Sequence, residues 1–318
     1  MRPAIEVEKV GRVFTASGRR IVALDEVSFT VGQGQIVGLL GENGAGKTTL
    51  TKILSTLLLP TAGTARVLGV DVVADPRAVR ACQSVILGGD RGLYNQLSAR
   101  ENLRFFGMLD GLPRRRVLAA LDDALGRAGL GEAADRKVGT YSKGMRQRLH
   151  IAIGMLSEPA VLLLDEPTVG LDPVEADRLR GAVRELRERG VTILLTSHYL
   201  LDIGELADRV VILEHGRVSH DLTVAEFSAS LGFVATVVVR GPGTMPAPQR
   251  WDAMAGARVT AQTETDGGWQ VALQVERWSP DVFADLGRAL QDVRIESTEV
   301  LPARLEDVFI HLQSRVAA

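Results

Sequence analysis

A single cysteine, Cys82, excludes an intrachain disulfide framework and fits a reducing compartment. An excess of one charge is missing as well. Lys and Arg total 37 against 39 Asp and Glu, a net charge of −2, so nucleic acid has no electrostatic claim as the main partner. The N-terminal stretch MRPAIEVE has no apolar core of the kind a secretion signal needs, so secretion is not expected. Long hydrophobic runs are absent too: residues 31–40 and 231–239 are short, interrupted, and well below the ~18 residues of a membrane span. Where a membrane is involved, another polypeptide has to cross it. No internal repeat is visible. What remains is a chain of 318 residues, longer than one core of roughly 250 residues supports, so a large and a smaller domain are expected.

Short β-prone stretches separated by turn residues fill 5–31, and the apolar run 36–40 reads as a buried strand ending at Gly41. Helical spacing over 47–59 stops before Pro60, so strand, glycine loop and helix follow one another. From about 95 to 158 the signals are helical. Ser98 and Glu101 form a capping box, Pro113 opens a second helix with Val117, Leu121 and Leu125 on one face, and Ser142 caps a third. Continuous apolar runs at 161–164 and 191–195 flank a charged helix at 173–189, the pattern of parallel strands covered on both faces. Composition changes near Ala225. Beyond it, strands at 233–240, 257–263, 269–276 and 293–300 and helices at 250–255 and 280–290 give the order βαββαβ of a ferredoxin-like plait, followed by a terminal helix at 303–312. The expected domains are 1–224, with a helical insert at about 95–158, and 225–318.

Four segments carry the chemistry. The run GENGAGKT from Gly41 to Thr48 has P-loop spacing in the strand-loop-helix setting the loop requires. Its glycines, Gly41, Gly44 and Gly46, let backbone amides close round phosphates, Lys47 reaches the β- and γ-phosphates, and Thr48 ligates magnesium. Asp165 and Glu166 end an apolar strand. Neighbouring residues in a strand point to opposite sides, so Asp165 is assigned to the metal and Glu166 to the base that polarises the attacking water. Ser142 starts a helix whose N-terminus, with the Gly144 amide, favours an anion, and a helix running to Ser157 is about 24 Å long. That length argues for a phosphate on a second subunit, and the alternative is a simple helix cap with a basic surface. His198 follows a buried run at a strand's C-terminal end, the edge where ligands bind in open α/β sheets. Gly170 to Asp172 either signals across a dimer or turns the chain into the helix at Pro173.

In order and spacing, these segments resemble the ATP-binding subunit of ABC transporters over residues 5 to about 221. The resemblance makes 41–48 the Walker A loop, with Asn43 and Thr49 completing its ATP contacts. It makes 161–166 the Walker B strand with the catalytic glutamate, 170–172 the D-loop with Asp172, and His198 the switch histidine. Lys47, Glu166 and His198 are then catalytic, Thr48 and Asp165 hold Mg²⁺, and Phe14 sits where an aromatic stacks on adenine. The stretch 141–145 is similar to the signature motif, with Lys143 in place of a glycine and Met145 in place of a glutamine, so Ser142 and Gly144 carry over. Near 85–91 the family has a glutamine that binds magnesium and links to the permease. Alignment puts Gly89 there, and neither Gln83 nor Gln96 matches.

The implied fold is α/β: an ABC-type P-loop NTPase core with an antiparallel β subdomain and a helical insert, plus a small α+β ferredoxin-like C-terminal domain. The segment 305–312 is similar to the extension of drug-resistance exporter ATPases. The resemblance therefore implies a homodimeric ATPase that uses ATP and Mg²⁺, works with a separate integral membrane permease, and lies in the cytoplasm on the inner face of the membrane. Its expected task is export of a drug, lipid or other amphiphile. Two alternatives stand beside it: a soluble ABC-type ATPase acting in DNA repair or on ribosomes, and a weakly hydrolysing regulatory module.

Overall fold

A computed structural model describes residues 2–16, 19–87, 92–197, 199–230, 233–251, 256–265 and 267–302. The chain divides into two compact units, Met1–Val224 and Ala225–Ala318. In chain order the first holds β1 (Ile5–Ala16), β2 (Arg19–Val31), β3 (Ile36–Leu40), α1 (Lys47–Leu54), β4 (Ala62–Val67), β5 (Val70–Asp71), α2 (Pro76–Cys82) and β6 (Gln83–Ile86). There follow α3 (Ala99–Leu109), α4 (Arg114–Arg127), α5 (Lys143–Met155), β7 (Val161–Asp165), α6 (Pro173–Glu188), β8 (Thr192–Thr196), α7 (Leu200–Leu206), β9 (Arg209–Glu214) and β10 (Arg217–Thr223). Then come α8 (Val224–Ala229), β11 (Ala235–Pro242), β12 (Ala257–Thr265), β13 (Gly268–Val275), α9 (Pro280–Ala289) and β14 (Ser297–Pro302).

A six-stranded sheet has the order β10-β9-β3-β8-β7-β6, parallel except for β10. Every residue of β3, β7 and β8 is buried, which is why these strands read as unbroken apolar runs rather than as alternation. Each buried Leu or Ile side chain in them contributes roughly 1.5–3 kcal/mol. An antiparallel sheet of order β2-β1-β4-β5 shares a core with this one, in which Val7, Leu24 and Phe29 join Leu39, Leu50, Ile53 and Leu163. Helix α1 supplies Leu50, Ile53 and Leu54 to that core and ends at Leu54, not Leu59. Thr56 takes the left-handed φ of 63° and the amides of Leu57 and Leu58 turn back to the Lys52 carbonyl, so the helix closes before Pro60 can act.

The insert packs α3, α4 and α5 around Leu103, Val117, Leu121, Leu125, Leu149 and Leu156. Its start is the capping box read from the sequence: Glu101 N donates to Ser98 Oγ and Ser98 N donates to the Glu101 carboxylate. Helix α5 spans 143–155, shorter at its C-terminal end than the sequence suggested.

The second unit has the sheet order β12-β13-β11-β14, antiparallel throughout, with β11 and β13 central. With α9 after β13, this is the plait connectivity. A 3₁₀ turn at Pro248–Arg250 stands where the first helix was expected, and residues 252–255 of that segment lie outside the described residues. The last strand begins at Ser297, not Val293. The turn after α9 covers 290–292 and is closed by Val293 N on the Leu290 carbonyl at 3.1 Å, and pairing starts where Glu296 N donates to the Arg240 carbonyl. The terminal helix expected at 303–312 lies outside the described residues.

Candidate functional site

Register decides where the site forms. Leu39 on β3, Thr196 on β8 and Asp165 on β7 stand abreast across three parallel strands. The chain therefore leaves that one edge as the glycine loop, as Ser197 and as Glu166. This is the C-terminal edge of a parallel sheet, where ligands bind in open α/β folds.

Gly46 has φ 107°, and a Cβ there would lie 2.5 Å from the Ala23 carbonyl oxygen, so only glycine fits between the loop and β2. Ala23 is the residue skipped where β2 pairs with β1, since Arg12 faces Leu24 and Val13 faces Val22. A bulge next to a loop that must close on a ligand is a common device. No side chain caps the first turn of α1, so its amides stay open at a helix end that favours anions. Asn43, Gly44 and Thr48 are exposed and Thr49 is half-buried.

Lys47 is only 6% exposed, and its Nζ donates to the carbonyls of Gly41 at 2.7 Å and Glu42 at 3.1 Å. Burial lowers its pKa from the ordinary lysine range, while the nearby carboxylates of Glu166 and Asp165 oppose the shift. The ammonium is thus held in a low-dielectric place with loop carbonyls as its partners. Asp165 is 8% exposed; its Oδ1 accepts from Thr196 Oγ1 at 2.5 Å and its Oδ2 from Thr48 Oγ1 at 3.3 Å. Two hard oxygens from facing elements 3.3 Å apart are close to the spacing of adjacent ligands of an octahedral Mg²⁺, about 3.0 Å for metal–oxygen distances near 2.1 Å.

Glu166 lies beyond β7, not on it, and has φ 50°. Strand alternation therefore does not separate the two carboxylates. A left-handed backbone does, and it is pinned by the Glu166 amide, which donates to both the carbonyl and the hydroxyl of Thr196 at 3.0 Å. Sequence reading missed Thr196, which braces both acids at once; its place one residue past an apolar run was the available signal. It also missed Asp202, 1% exposed, which accepts from Thr168, from Ser197 at 3.1 Å and from Arg180 at 3.2 Å. These bonds fix the segment leading to His198, itself outside the described residues. The same holds for Gly89, within the segment 88–91. Gln83 is structural: its Nε2 donates to the Leu54 carbonyl at 2.9 Å, tying β6 to the end of α1.

At the other end of the insert, Ser142 Oγ accepts from Met145 N at 3.2 Å and caps α5. Gly144 packs against α6, since a Cβ there would lie 2.4 Å from Glu175 Oε2. Glu175 pairs with Arg148 of α5 at 3.2 Å, and Arg148 also donates to the Ala128 carbonyl at 2.7 Å, so α4, α5 and α6 meet behind the Ser142 turn. Asp172 accepts from the amides of Val174 at 3.1 Å and Glu175 at 3.0 Å, so in the protomer it turns the chain into α6. Phe14 lies on β1 opposite Ile21, two residues from Ala23, and therefore near the glycine loop that Ala23 touches.

A family profile described as ABC transporter matches residues 24–169. The daunorubicin resistance ATP-binding protein DrrA3 of Streptomyces coeruleorubidus is 40% identical over 293 residues, covering 91% of this chain and 90% of that protein. The chain belongs to the ABC transporter family of ATP-binding proteins. As a member it is an ATP-binding cassette ATPase. The ABC transporter ATP-binding protein NatA of Bacillus subtilis (strain 168) is 37% identical over 243 residues, 74% of this cassette chain and 99% of its own length, so about a quarter of the chain is additional to that relative. Among solved structures, the ATP-binding subunit of an ABC transporter matches with TM-score 0.63 and 30% identity, covering 72% of this chain and 93% of that one. No described helix is long and apolar enough to cross a membrane.

Proposed function

We propose that this ATPase drives export of a drug, lipid or other amphiphile through a separate integral membrane permease, bound to it as a homodimer on the cytoplasmic face of the membrane. The observation that carries the reading is the row Leu39, Thr196 and Asp165, which delivers the glycine loop, the acidic pair and Ser197 to one edge. In it, Gly41, Asn43, Gly44, Gly46, Lys47, Thr48 and Thr49 hold the triphosphate of ATP, and Phe14 stacks on the base. Thr48 and Asp165 hold Mg²⁺, which supplies charge neutralisation on the phosphate oxygens. Glu166 accepts the proton of the attacking water, and His198 binds the γ-phosphate.

The Ser142 turn serves a second copy. Gly154, near the C-terminal end of α5, packs on Ser84 of the edge strand β6. Twelve residues of helix at ~1.5 Å each put Ser142 about 18 Å along from that contact. Ser142 and Gly144 therefore complete the ATP site of the partner, and Asp172 lies in the same interface. Closing on ATP and opening after hydrolysis is the two-state element that a permease follows.

An exposed aromatic group on the insert supports a membrane partner. Tyr94 and Phe105 meet edge to face at 4.8 Å, Phe105 and Phe106 at 5.2 Å, and Tyr94, Phe105, Met108 and Leu109 face solvent. Apolar patches of this kind mark interaction sites. Names of relatives support the direction of transport, because DrrA3 is a daunorubicin resistance protein and the Nod factor export ATP-binding protein I of Sinorhizobium fredii is 40% identical over 214 residues. Inside-out vesicles carrying the cognate permease should take up a fluorescent amphiphile only with ATP and this subunit. Substituting both Tyr94→Ala and Phe105→Ala should abolish that uptake and the permease-stimulated ATP turnover while basal turnover persists. Undiminished stimulation would exclude this patch as the docking surface, and ATP-independent uptake would exclude export driven by this subunit.

A further inference from the structure

Arg12 and Phe14 are two residues apart on β1, so their side chains share one face of the strand. The Arg12 guanidinium carbon stands 4.6 Å from the centroid of the Phe14 ring, within the range of a cation–π contact. The guanidinium is not swinging in solvent. Its Nη1 donates to the Leu59 carbonyl at 2.9 Å, and its Nε is buried without a hydrogen-bond partner. The backbone beside it is tied to the same connection between α1 and β4. Thr61 N donates to the Gly11 carbonyl at 2.7 Å and Val13 N donates to Thr61 Oγ1 at 3.1 Å. One face of the ring is thus covered by a cation that is itself anchored to the segment following the phosphate-loop helix.

We infer that Arg12 is a positioning residue for the nucleobase: it backs the Phe14 ring and locks its plane to the α1–β4 connection at Leu59, so that the opposite face is set for adenine at a fixed distance from the triphosphate. This rests on the reading of Phe14 as the adenine platform. A cation behind the ring also withdraws electron density from it, which suits stacking with an electron-rich purine. Arg12 makes no contact with phosphate in this account. Its guanidinium is already engaged by the ring and by a carbonyl.

The test is steady-state ATP hydrolysis by the full chain, with competition by inorganic tripolyphosphate, which has no base. Arg12→Ala should raise KM for ATP about three- to tenfold, with kcat at saturating ATP and the affinity for tripolyphosphate unchanged. Arg12→Lys should recover part of the loss, because it keeps the charge over the ring but not the planar fork. Phe14→Ala should raise KM at least as much, and adding Arg12→Ala to it should change nothing further. If Phe14→Ala raises KM while Arg12→Ala does not, or if Arg12→Ala weakens tripolyphosphate as much as ATP, the positioning role is overturned. If Phe14→Ala leaves KM unchanged, the adenine platform itself is wrong and the inference falls with it.

Discussion

Glu166→Gln lowers steady-state ATP turnover by about 10²-fold or more, while ATP binding and ATP-driven dimers persist. The amide keeps the size of the carboxylate and leaves its backbone bonds to Thr196 in place, so the left-handed turn at φ 50° survives. What disappears is the only function the glutamate is asked to perform, accepting a proton from water. Neighbouring Asp165 does not take it over, since in this reading its carboxylate is committed to Mg²⁺ with Thr48 and is held by Thr196. Phosphate release read alongside size-exclusion chromatography separates the two effects. Turnover near the wild-type rate would remove Glu166 from the base assignment.

Lys47→Met is the second large effect. Methionine nearly matches the length of the lysine stem and its packing, but it brings no charge to the phosphates. Turnover should fall by about 10²- to 10³-fold, the scale of losing one preorganised donor at a developing charge, and ATP affinity should weaken as well. Stability should change little. Lys47 is buried and its pKa is lowered chiefly by burial, so the charge is held at a cost, and removing it offsets the loss of its bonds to Gly41 and Glu42. Isothermal titration with ATP, together with thermal unfolding, checks both halves. A variant that binds ATP as tightly as wild type would show that the triphosphate does not lie where Lys47 reaches it.

Much of this site is local, and for that reason it is legible in the sequence. A strand, a glycine-rich turn and a helix start are specified within about a dozen residues, as are the apolar run before Asp165, the capping box at Ser98 and the N-cap at Ser142. The non-local parts were not readable. Nothing near Thr196 says that it will bond Asp165 and Glu166 on the neighbouring strand, because that depends on register between β7 and β8. The start of β14 is likewise fixed by Arg240 on β11, so the local alternation of Val293 and Ile295 misled. Helix α1 ended early through a left-handed residue, Thr56, which carries no glycine signal. For Glu166 the assignment came from strand alternation, whereas the structure separates the two acids by a turn.

The central claim is that each ATP is completed by residues of two subunits. Specific activity measured across a dilution series, with the oligomeric state followed by light scattering at the same concentrations, tests it most directly. Activity per subunit should fall steeply as dimers dissociate, so that the rate rises with roughly the square of enzyme amount at the dilute end. A constant activity per subunit at dilutions where only monomers are present would contradict it.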